Sequence, residues 1–214
     1  RMDDIASLDA LLTVTMSVYE ERGGDGVFRI DISPNPRSDK LQSIPKRTLF
    51  LVDCSTSMGF GDGKKFDQAR RLCAALAYVG LANLDRVTIV GVSDGVVARM
   101  PTTRGKGRIF KVLGFLRDLE PRGTTDLGAA LRTFVAQHKR RGLAVLFSDL
   151  YDHEGLEHGI NVLRYHKFEP YVVHLIDPRE DRPALRGDVR IYDCETGEER
   201  EVTVTDRVLE RIAE

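Results

Sequence analysis

The stretch VDCSTSMGFGDGKK, residues 52–65, decides the fold. An apolar run at 48–52 ends in Asp53, Ser55 and Ser57 alternate after it, and Gly59, Gly61 and Gly63 then turn the chain. A strand that empties polar residues into a glycine-rich loop is the opening of a βα unit. Such a loop can serve a phosphate, a covalent intermediate or a metal, and spacing separates the three.

A phosphate-cradling loop needs G-x-x-x-x-G-K followed by a hydroxyl residue. Counting back from Gly63-Lys64 places Met58 where the first glycine belongs, and Lys65 stands where the hydroxyl belongs. The G-x-G-x-x-G spacing of dinucleotide sites fails as well, because Gly63 comes one residue early. A haloacid-dehalogenase-type phosphatase would use Asp53 as nucleophile with Mg²⁺, and Asp149 and Asp152 could form its magnesium end. Ser55, however, stands where that chemistry needs a second aspartate as general acid. This phosphoryl-transfer reading is the alternative from a different class.

In an extended segment, residues 53, 55 and 57 point to one side, so Asp53, Ser55 and Ser57 converge three oxygens. Oxygen-only ligation suits a hard cation such as Mg²⁺, Mn²⁺ or Ca²⁺. Further oxygens come from the carboxyl ends of neighbouring strands. RGTTDL (122–127) and FSDL (147–150) qualify.

The rest of the chain reads as a frame for that loop. The runs 48–52, 86–92, 143–148 and 171–176 are nearly continuous apolar strands, as in a sheet covered on both faces. Helical stripes lie between them: Phe66, Ala69, Cys73 and Leu76; Ile109, Val112, Leu113 and Leu116; Leu127, Leu131, Phe134 and Val135; Leu156, Ile160 and Leu163. VVARM (96–100) follows Asp94-Gly95 too closely for a crossover and is an antiparallel neighbour. The expectation is an α/β domain over 46–214, with a mostly parallel sheet, one reversed strand, helices on both faces, and a C-terminal hairpin around Thr196-Gly197 followed by a helix from Asp206. Residues 1–45 read as an N-terminal β extension and linker: two alternating strands, a glycine turn at 23–26, and a proline-bearing connection.

Asp53-x-Ser55-x-Ser57, the threonine of Gly123-Thr124-Thr125-Asp126-Leu127, and Asp149 at a strand end resemble the metal-ion-dependent adhesion site of the von Willebrand factor type A family. The likeness covers roughly 46–180. Within that family the sequence is similar to an uncharacterised bacterial branch often encoded near MoxR-type AAA+ ATPases. The resemblance implies a Rossmann-like fold and a divalent cation held by Asp53, Ser55, Ser57, Thr125 and Asp149, with Thr124 as the neighbour that could replace Thr125. It implies a binding module rather than an enzyme, whose ion accepts a carboxylate from a partner protein.

Bulk properties set bounds on this. With 214 residues, 42% of them hydrophobic, the chain can bury one main core. Thirty-two basic against 33 acidic residues give a formal charge of −1, which supplies no field for nucleic acid or an anionic membrane. The run from His138 to Arg141 reads as a solvated helix end. Cys54, Cys73 and Cys194 are an odd number without close spacing, which suits a reducing, cytoplasmic setting better than disulfides or zinc. No apolar run reaches the roughly 18 residues that span a bilayer. In HEGLEH (153–158) the histidines are five apart instead of four and fall on different helix faces, so this is no zinc-protease motif. Asp62 and Lys64 read as solvated loop positions within reach of the site rim, and Asp126 or Thr124 caps the third helix.

Overall fold

The computed structural model describes residues 12–19, 27–34, 46–61, 63–137, 141–152, 156–181 and 185–205. The chain divides into two compact units, Arg1–Ile44 and Pro45–Glu214. In the first, β1 (Leu12–Tyr19) pairs antiparallel with β2 (Val27–Pro34), Leu12 opposite Pro34 and Tyr19 opposite Val27. The glycine turn at 23–26, the connection 35–45, Asp62, the basic run at 138–140, residues 153–155 and the helix from Asp206 lie outside the described residues.

The second unit is built on β3 (Arg47–Asp53), β4 (Arg86–Val92), β5 (Val96–Thr103), β6 (Gly142–Ser148) and β7 (Phe168–His174), in the spatial order β5-β4-β3-β6-β7. All neighbours are parallel except β4 and β5, which the tight Asp94-Gly95 turn reverses. The expected mixed α/β sheet is thus the observed one. Its side-chain period of two sorts the core into two layers. Phe50 and Val52 of β3, Val87 and Ile89 of β4, and Val145 and Phe147 of β6 face one layer. Leu49, Leu51, Val90, Val92, Ala144 and Leu146 face the other.

Helices cover both layers. α1 (Lys64–Ala82) buries Phe66, Ala69, Cys73, Ala77 and Leu81 on the first, beside α2 (Ile109–Arg117) with Val112 and Leu116. α3 (Leu127–Gln137) buries Leu127, Leu131, Phe134 and Val135 on the second, and α4 (Leu156–Tyr165) adds Leu163. Phe50 and Phe147 meet within the core at a centroid distance of 6.2 Å. Deleting either ring would cost about 3–5 kcal/mol.

Two expectations need correction. Leu113 is 45% exposed. Val112 and Leu116 are four apart and set the buried face of α2, so residue 113 falls about a quarter turn away. The fourth apolar run is not covered on both faces either. β7 starts at Phe168, lies at the sheet edge, and leaves Tyr171 and Val172 exposed. Among the described residues it pairs only with β6. The short helix α5 (Pro178–Asp181) follows, and then β8 (Gly187–Tyr192) and β9 (Glu199–Val204) form a separate antiparallel hairpin whose residues are mostly exposed.

Candidate metal centre

The direction of chain travel places the centre. From β3 the chain moves to β4 on one side, and β6 later adds to β3 on the other. Loops at the carboxyl ends of β3 and β6 therefore diverge and leave a crevice between them. Asp53 ends β3, and Ser148 and Asp149 end β6.

Asp53 is fully buried. Its Oδ1 accepts the Ser55 backbone N–H at 2.9 Å, and its Oδ2 accepts the Ser148 hydroxyl at 2.5 Å. A single 3₁₀ turn, Thr56–Gly59, then folds Ser57 back so that the Ser55 and Ser57 hydroxyls lie 3.0 Å apart, both buried. Gly61 can hold its φ of 73° and pack against the Asp177 carboxylate because it has no Cβ to meet that group.

The loop 122–126 is fastened to this segment by its backbone. The Arg122 N–H donates to the Cys54 carbonyl at 2.6 Å, and the Gly123 carbonyl accepts from both the N–H and the hydroxyl of Thr56. Thr124 is exposed and Thr125 is buried, so Thr125 is the threonine turned inward. Asp126 caps α3, its Oδ1 accepting the Ala129 N–H at 2.7 Å. The five expected residues are thus buried and come from three segments fastened around one crevice.

Asp149 has a different environment. Its Oδ2 accepts from the Lys65 ammonium at 2.8 Å, and Lys65 also donates to Glu180 Oε1 at 2.7 Å. Leu150 next to it holds φ 65°, sparsely populated for a residue with a side chain and typical of a locally constrained site. Burial alone would lower the Lys65 pKa, but the two carboxylates outweigh it and raise the value. Asp53 has no such partner: among the described residues no basic side chain forms an ion pair with it. Burial, only partly offset by hydrogen bonds from Ser148 and Ser55, pushes its carboxyl up to about 6.

The five expected side chains offer only oxygen donors, a set that suits a hard divalent cation rather than a soft one. Among the described residues no group of three or more His, Cys, Asp or Glu side chains is placed to hold a metal. A cation here would therefore depend on the hydroxyls. Ser55, at the position of the phosphatase acid, is hydrogen-bonded to Ser57 and has no carboxyl with which to act as general acid.

Three further side chains take part that the sequence pattern does not single out as site residues. Ser148 was legible as the polar end of an apolar strand. Lys65 was legible too, because it shares the i, i+4 stripe of Ala69 and Cys73 and so must point inward, whereas Lys64 is exposed. Glu195 carried no local signal. Its carboxylate accepts the Thr125 N–H on Oε2 and the Thr125 hydroxyl on Oε1, both at 2.8 Å.

Comparison with known proteins is consistent with this architecture. An uncharacterized protein of Mycobacterium tuberculosis (strain ATCC 25618 / H37Rv) is 26% identical over 192 residues, covering 85% of this chain, and a Mycobacterium bovis protein matches equally. The chain spans 60% of the length of these relatives. The crystal structure of an aerotolerance-related membrane protein from Bacteroides fragilis superposes with a TM-score of 0.53 at 20% identity, over 78% of this chain and 86% of that one, which shows a shared fold. A von Willebrand factor type A structure from Catenulispora acidiphila gives 0.47 at 15% identity, over 76% and 40%. A family model described as "Protein of unknown function DUF58" matches residues 22–214, most of the chain, and the chain therefore belongs to the DUF58 family.

Proposed function

We propose that this chain is a divalent-cation-dependent protein-binding module of the von Willebrand A type, with Asp53, Ser55, Ser57, Thr125 and Asp149 holding Mg²⁺, Mn²⁺ or Ca²⁺. The observation that carries the reading is the buried Asp53 carboxylate, set beside two converging serine hydroxyls and, among the described residues, without a basic partner. A buried carboxylate is costly unless a cation or hydrogen bonds compensate it. Here hydrogen bonds do so only in part.

Asp53 supplies the unmatched charge that attracts the ion, Asp149, whose charge Lys65 already shares, supplies a further carboxylate oxygen, and Ser55, Ser57 and Thr125 supply neutral oxygens. A cation bound this way retains charge toward an external carboxylate, which is the chemistry it would add. The chain's residues orient and bury; none is assigned a catalytic step. The partner is accordingly a protein presenting Asp or Glu, and an AAA+ ATPase system is the candidate from the sequence resemblance. No described helix is long and apolar enough to cross a membrane. The three free thiols, two of them buried, fit a cytoplasmic, reducing setting.

Isothermal titration with Mg²⁺ and Mn²⁺ tests the ion, and a pull-down with or without chelator tests the partner. Heat and capture that disappear together in Ser55→Ala support the reading. An absence of metal heat in the wild type overturns it.

A further inference from the structure

We infer that the chain itself covers the side of the site an external carboxylate would approach, through Glu195 at the tip of the β8–β9 hairpin, which holds the proposed ion ligand Thr125. The inference rests on the binding-module reading and adds its control.

Both Glu195 oxygens are engaged by Thr125, one by its hydroxyl and one by its backbone N–H. Among the described residues no basic side chain pairs with Glu195, so its carboxylate is aimed at the same hydroxyl that the proposed ion would use. The tip is shaped for this. Asp193 Oδ1 accepts the N–H groups of Glu195 and Thr196 at 2.8 and 3.2 Å, Gly197 N–H donates to the Asp193 carbonyl at 3.0 Å, and Gly197 takes φ 77°. Glu195 is thereby half-buried, while its neighbours Cys194 and Thr196 are exposed.

The hairpin behind the tip is suited to release. β8 is exposed apart from Val189, and β9 apart from Val202 and Val204. A two-stranded ribbon is marginal by itself and holds its place through a few contacts. The bidentate clasp on Thr125 is one of those. A tethered carboxylate needs only modest affinity to exclude a free one, since its effective concentration is on the order of millimolar. An acidic partner would therefore gain access by displacing Glu195, and the hairpin would swing out.

Two measurements on the full chain test this. Without metal, hydrogen exchange at the Thr125 amide should be at least tenfold faster in Glu195→Gln than in wild type; an unchanged rate overturns the clasp. With saturating Mn²⁺, a fluorescein-labelled triglutamate peptide should bind Glu195→Gln at least tenfold more tightly than wild type, and Ser55→Ala in that background should abolish the gain. Equal peptide binding by two proteins that both take Mn²⁺ overturns the internal-ligand proposal and leaves the metal reading standing. If neither protein takes Mn²⁺, the metal reading fails and the internal-ligand proposal falls with it, whatever the exchange arm shows.

Discussion

The two strand-end carboxylates of the crevice live under opposite conditions. Asp149, closing β6, already has a cation in the Lys65 ammonium, which Glu180 shares. Asp53, closing β3, has among the described residues only hydroxyl and amide donors and is pushed up to about 6 by burial. Two aspartates at the carboxyl ends of adjacent parallel strands, Asp53 the last residue of β3 and Asp149 the first after β6, thus differ in whether their charge is met from inside the chain. The lesson is that strand-end position delivers an acid to a site, but the side chains packed above it decide whether that acid is settled or available. The available one is where a cation gains most.

The sharpest way to break the contrast is to remove the internal cation. Lys65→Met leaves Asp149 and Glu180 with an unmatched buried charge and is expected to destabilise the fold by about 3–5 kcal/mol, measured by urea unfolding. If the two carboxylates then recruit an ion, Mg²⁺ will recover part of the loss.

Acidity probes the other member. A folded value near 6 lies above that of the unfolded chain, so the folded state holds the Asp53 proton more tightly between about pH 4 and pH 6. This group's contribution therefore weakens as pH rises through that window, by about 3 kcal/mol in all without metal. The wild type should lose stability relative to Asp53→Asn between pH 4 and 7, and parallel curves would show that Asp53 is not strained by burial. Saturating Mg²⁺, at about 100 times its dissociation constant, should raise wild-type stability by about 2.7 kcal/mol at pH 7. The gain should be lost in Ser55→Ala and in Asp53→Asn, as read from melting temperature.

The smallest effect is a control away from both acids. Asp126→Ala removes the α3 cap and should cost about 1 kcal/mol with metal affinity little changed. A large fall in affinity would mean that the loop position of Thr125 depends on the cap.

Much of the fold was legible because sheet strands covered by helices must be apolar on both faces, and 48–52, 86–92 and 143–148 are. β7 misled because an edge strand can carry the same residues with half of them exposed. At the centre, the alternation of Asp53, Ser55 and Ser57 could be read from backbone geometry, and the segments 122–127 and 147–150 from their places at element ends, whereas the choice of Thr125 and Asp149 within them came from the family resemblance. Lys65 was readable from helical phase and was overlooked in favour of its neighbour. Glu195 was not readable, since nothing local to a surface turn reports a contact with a residue 70 positions earlier.

The divergence of the chain on either side of β3 has an evolutionary reading. The crevice follows from the order in which strands were laid down, so its existence does not depend on which residues line it. The layers that fold the domain and the loops that choose its ligand can accordingly drift at different rates. A lineage could exchange a hydroxyl for a carboxylate at the rim, acquiring a new specificity, without revising the core beneath.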